Sequence, residues 1–172
     1  MTPAEVITIT AAVIALGCVL AAAIADIRRF EIPDGLSIAL VATAIVYGLA
    51  TPGFVWWSHI AAPLGFFALG LFVFSRGWMG GGDIKLMTGI AAWTGLEGLL
   101  AQFVATALAG GILALALIVA RRVLASPALA SRAFASRRAG MPRVFQSDAP
   151  LPYAIAIAAG TFWWAAKAWP IA

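Results

Sequence analysis

Two of the seven carboxylates in this 172-residue chain sit where a carboxylate is costly. Asp26 ends an apolar run, in Ala25-Asp26-Ile27-Arg28, and Asp83 opens another directly after Gly80-Gly81-Gly82. An ionised acid at the centre of a bilayer costs about 2.5–3.5 kcal/mol on insertion scales, so an acid in such a setting needs a partner or a task. The glycines remove side-chain bulk, and another stretch of backbone can come close to the Asp83 carboxylate. Two carboxylates in one site cannot easily both ionise, so one holds a proton at neutral pH. Such a pair can hydrolyse a peptide: one carboxylate takes a proton from the attacking water while the other gives one to the carbonyl oxygen. The plainer use is a boundary acid paired with a neighbouring base, Arg28 or Arg29 for Asp26 and Lys85 for Asp83. A small ion- or proton-coupled transporter would use membrane acids of the same kind.

The elements that must position these acids are membrane helices. Apolar residues make up 63% of the chain and charged residues 10%, and mean hydropathy is +1.01. That excludes a soluble globule and gives an all-α integral membrane protein, read as one domain over residues 1–172. Apolar stretches run from about Glu5 to Ala25, Leu36 to Ala50, Trp56 to Phe74, Asp83 to Gly98, Leu99 to Ala120 and Leu151 to Trp169. The first has the length of a span and lacks a basic start, so it reads as a retained helix and not a cleaved signal. Pro33 stops a helix from running straight through the polar stretch after Asp26. Thr51-Pro52-Gly53 and Glu97 mark turns, and Pro63 is expected to kink the third span. The fourth segment is the shortest and carries Thr88, Gly89, Thr94 and Gly95.

Arg28, Arg29, Arg76, Lys85 and six arginines between Arg121 and Arg143 fall in alternate connections, with Lys167 elsewhere. The positive-inside rule then predicts a six-transmembrane-helix bundle with both termini outside and a cytosolic loop over about 121–150. On this count Asp26 follows the first span and Asp83 the third, so both lie at the cytosolic boundary. No basic patch interleaved with aromatics is present, which argues against nucleic acid as a partner. The basic runs read as topology determinants near anionic lipid headgroups. Cys18 is alone, so neither an internal disulfide nor a cysteine zinc site is expected. His59 is expected near the outer face in a packing role, and Gly65, Gly70, Gly110, Gly111 and Gly160 at close helix contacts.

Gly80-Gly81-Gly82-Asp83 resembles the GxGD motif of intramembrane aspartic proteases. Together with Ile84-Lys85-Leu86, and with Asp26 placed several residues before Ile32-Pro33, it is similar to the two aspartate motifs of the type IV prepilin peptidases. Leu151-Pro152-Tyr153, opening the last span, resembles a Pro-aromatic signature near that family's C-terminus. The resemblance implies catalysis by Asp26 and Asp83. Gly80, Gly81, Gly82, Lys85, Glu31, Pro33, Asp34, Pro152 and Tyr153 would then shape the site or meet substrate. It implies a multi-pass protein of the bacterial inner membrane, with its site facing the cytosol and no cofactor or metal. The implied substrates are prepilins, whose basic leader joins an apolar helix at the cleavage point.

The chain departs from that pattern in two places. Asp34 stands where the family often has Asn, adding a third acid read as an accessory or solvated group. The cysteine-bearing cytosolic insertion of the larger members is missing, so neither zinc nor N-methylation is carried over. The resemblance is to the short branch that serves Flp/Tad-type pili. Glu31, Asp34 and Asp148 are expected to attract a basic leader, which the arginine-rich loop would repel.

Overall fold

The computed structural model describes residues 1–125 and 150–168, and these form five helices with no strand among them. They are α1 (Pro3–Arg29), α2 (Asp34–Ala50), α3 (Trp56–Ser75), α4 (Gly81–Ala125) and α5 (Ala154–Ala168). α1, α3 and the stretch Gly81–Leu124 of α4 are long and apolar enough to cross a membrane, and α2 is a shorter apolar helix. The protein is therefore a helical membrane protein. Residues 126–149 of the expected cytosolic loop, with Asp148, lie outside the described residues, as does Trp169.

Helix starts follow local chemistry. Thr2 caps α1 in a reciprocal box with Glu5, their bonds 2.9 and 3.2 Å long; this satisfies two amides that the first turn would leave free. α1 ends where Phe30 takes a left-handed conformation, φ 55°, its N–H donating to the Asp26 carbonyl at 2.8 Å. Pro33 then precedes α2 in an extended conformation. The expected stop thus falls where proline chemistry requires it, but α1 runs four residues past Ala25. Asp26 is a helical residue, not the first residue of a loop.

That placement decides where Asp26 points. The buried residues of α1 include Ala15, Val19, Ala22, Ala23 and Asp26, spaced three and four apart along one face. Asp83, Met87 and Ile90 follow the same rhythm on α4. The core gathers Val19, Ala22 and Ala23 of α1, Leu40 of α2, Leu86, Met87 and Ile90 of α4, and Ile157 of α5. Each acid therefore lies at the end of a buried stripe, and the two stripes share one core.

The fourth and fifth apolar segments form one helix broken at Gly95, where φ is 60° and ψ −174°. The turn expected at Glu97 is corrected to Gly95. Non-glycine residues are strained there, and a Cβ would also meet Ser58 Oγ at 2.8 Å and His59 Nε2 at 3.0 Å. Those two residues hold the break. Ser58 Oγ accepts from the Leu96 N–H at 2.9 Å, and His59 Nδ1 donates to the Ala92 carbonyl at 2.9 Å. His59 has the packing role expected of it. Beyond the break α4 continues past Ala120 through Arg121 and Arg122, which the sequence reading assigned to the loop.

Close helix contacts occur at some of the expected glycines. Gly70 meets Ile84, Gly110 meets the Tyr153 ring and Gly160 meets Thr106, whereas Gly65 and Gly111 face open space. Near the Gly160 contact, Gln102 Nε2 donates to Thr106 Oγ1 and Thr161 Oγ1 at 3.1 and 3.2 Å, tying α4 to α5. α3 continues as a helix through Pro63.

Candidate active site

Asp26 and Asp83 line one cavity of about 410 Å³, together with Phe30, Glu31, Ile32, Asp34, Lys85 and Gly80 to Gly82. The elements that build it are the last turn of α1, the connection to α2, and the first turn of α4. Asp26 is 7% exposed.

Each acid also lies at the positive end of a helix. Asp83 is in the first turn of α4, where Ile84 donates its N–H to the Gly80 carbonyl at 3.2 Å. Asp26 receives the N–H of Ala154, the first residue of α5, on Oδ2 at 2.9 Å. Unpaired amides and the helix dipole make such termini favourable for negative charge. The Ala154 bond crosses 128 residues of sequence and fixes the Asp26 rotamer.

The glycines do two different jobs. A Cβ on Gly80 would stand 3.1 Å from Asp83 Oδ2, so its absence leaves room at that oxygen. A Cβ on Gly82 would stand 3.3 Å from Ile32 Cβ, so its absence lets the α1–α2 connection close over α4. What approaches the glycine run from this connection is the Ile32 side chain, at Gly82.

The simple boundary pairing does not occur. Lys85 Nζ binds both oxygens of Asp34, at 2.9 and 3.0 Å, and not Asp83. Among the described residues no ion pair joins Asp26 to Arg28 or Arg29. The Lys85–Asp34 pair is exposed, 49% and 65% at the two side chains, so its contribution to stability is about 0–1 kcal/mol. Among the described residues no group of three His, Cys, Asp or Glu side chains could hold a metal ion.

Of the other residues singled out, Pro33 sits in the connection beside the cavity, exposed, as the residue before α2. Pro152 is buried and Tyr153 half-buried behind Asp26, leading into Ala154. The Tyr153 ring rests on Gly110, where a Cβ would come within 2.6 Å of Cε2. The signature at the last helix therefore positions a backbone amide. Sequence reasoning missed Phe30, Ile32 and Ala154. A start of helix after Leu151-Pro152-Tyr153 could have pointed to Ala154, because the first amides of any helix lack internal partners.

A family model described as the type IV leader peptidase family matches residues 13–115, more than half of the chain. The chain belongs to the type IV leader peptidase family. As a member it is a peptidase, and prepilins are the substrates that membership implies. The matched residues contain both aspartates, the three glycines, Asp34 and Lys85, and stop short of Pro152 and Tyr153. Comparison with curated proteins and with solved structures finds no match for this leader peptidase family member.

Proposed function

We propose that this leader peptidase is an aspartic endopeptidase that uses Asp26 and Asp83 to remove the basic leader of type IV-like prepilins of the Flp/Tad kind. The observation that carries the reading is that both carboxylates line a single cavity. Membership in a peptidase family favours peptide cleavage over ion coupling as the use of that pair. One carboxylate takes a proton from water as the water oxygen bonds to the scissile carbonyl carbon. The other gives its proton to the carbonyl oxygen, producing a tetrahedral diol. Collapse then breaks the carbon–nitrogen bond, and a carboxyl proton passes to the leaving amine. The assignment of acid and base belongs to the pair as a whole.

The reading includes a six-span bundle in the bacterial inner membrane, with the two parts of α4 on either side of Gly95 as separate crossings. The part before Gly95 is short, roughly 21 Å at 1.5 Å per residue, against about 30 Å of hydrocarbon. That shortness would keep Asp83 near the membrane edge. The distribution of basic residues favours the cytosolic side for this edge, where a leader and its apolar helix meet. Glu31, exposed and lining the cavity, is the acid best placed to attract a basic leader; Asp34 is partly neutralised by Lys85. Peptidase activity alone is proposed, without N-methylation.

The test is co-expression with a prepilin, comparing wild type with Asp26→Asn and Asp83→Asn. Loss of one acid–base group should slow cleavage about 10²–10⁴-fold, with each variant still inserted in the membrane. Cleavage at the wild-type rate by either variant would remove that aspartate from the mechanism.

A further inference from the structure

A second cavity, of about 520 Å³, opens beside the aspartate cavity. Ser37, Ile38, Val41 and Ile45 of α2 form one wall, Phe67 of α3 another, and Thr88 and Gly89 of α4 the base. The base is a close helix contact: a Cβ on Gly89 would stand 3.0 Å from Leu40 Cβ and 3.1 Å from the Ser37 carbonyl. Asp34 and Lys85 line both cavities, so the ion pair stands at the junction between them.

We propose that this groove receives the apolar helix of the substrate, and that the Asp34–Lys85 pair marks the point where the substrate leaves the groove for the aspartates. The inference rests on the peptidase reading above. Two of three observations favour a peptide over a lipid chain as the occupant, and the apolar-to-charged lining is compatible with it. The groove runs into the aspartate cavity through two shared residues, as a path to the scissile bond requires. Its walls are apolar while its end is charged, which matches a segment that changes from apolar to basic along its length. Ser37 is 8% exposed, and its hydroxyl has no hydrogen-bond partner. A buried hydroxyl without a partner is unfavourable; a hydrocarbon tail would leave it so, and a peptide carbonyl would not.

The walls are exposed, with Ile38 at 68% and Ile45 at 47%. Ala42, also on the groove, is exposed and can be enlarged without entering the core. The experiment uses the full chain in membranes with a full-length prepilin. Ala42→Trp should lower cleavage at least ten-fold, while Leu108→Trp, away from both cavities, cleaves as wild type does. A photo-crosslinking residue placed at Ile45 should capture the prepilin, and one placed at Leu108, exposed on the far part of α4, should not. Undiminished cleavage by Ala42→Trp, or capture of lipid alone from Ile45, would overturn the groove while leaving the aspartate reading intact. A wild-type protein that cleaved no prepilin would overturn the reading and the groove with it. The crosslink gives a result even if Ala42→Trp fails to fold.

Discussion

The part of α4 before Gly95 begins and ends at glycine, and the two glycine sites differ in what surrounds them. At the start, Gly80 and Gly82 border a cavity that holds two carboxylates. At the end, Gly95 is enclosed by Ser58 and His59, which bond the backbone on both sides of the break. The same residue type thus serves access in one place and packing in the other. Around Gly80 the missing side chain leaves space that the protein does not fill. Around Gly95 the space is filled, and the backbone takes a conformation closed to other residues.

The contrast predicts opposite consequences for substitution. Gly80 is exposed and lacks a positive φ, so its backbone accepts a side chain. Gly80→Val should leave the melting temperature near wild type yet crowd Asp83 Oδ2, lowering prepilin cleavage about 10²-fold, as displacement of a reacting group by about 1 Å does. A variant with normal cleavage would show that the space beside Asp83 is not used. Gly95→Ala should do the reverse. A strained backbone conformation costs about 1–3 kcal/mol, and Ser58 cannot move aside without losing its bond to Leu96. Thermal unfolding in detergent should show that loss, with cleavage per folded molecule little changed. An equally stable Gly95→Ala protein would mean that the break is not fixed by this glycine.

Much of the molecule was legible from hydropathy and from the acids. α2 and α3 end within a residue of the expected limits, and the Thr51-Pro52-Gly53 turn is a strong stop signal after α2. The break in α4 lies two residues before the expected turn, because the charged Glu97 marks a turn in the sequence whereas the backbone breaks at Gly95. Asp26 and Asp83 were singled out by where they sit in the sequence, and the structure brings them to one cavity. Their partners were not legible. Lys85 is two residues from Asp83 yet binds Asp34, since adjacent positions on a helix point away from one another. Phe30 adopts a left-handed conformation that carries no mark in a phenylalanine. The Ala154 amide donates from the backbone, and side-chain patterns do not report it.

That amide sharpens the comparison most finely, because it separates space at the open end from positioning there. Asp83 has room beside Gly80, whereas Asp26 is held by a donor from a different helix. Ala154→Pro deletes this donor alone among backbone groups. Proline is accepted at the first position of a helix, where the N–H has no internal partner, and Ala154 is that position in α5. A hydrogen bond to a charged group is worth about 1.5–3 kcal/mol. Only part of it should be felt in the reaction, since Asp26 stays on its helix and loses rotamer control, not place. Cleavage should fall about ten-fold, less than for Gly80→Val, with α5 still folded by circular dichroism. Ala154→Ser keeps the amide and should restore wild-type cleavage. Equal loss in Ala154→Pro and Ala154→Ser would assign the effect to crowding at this buried site and leave the Asp26 carboxylate positioned by α1 alone.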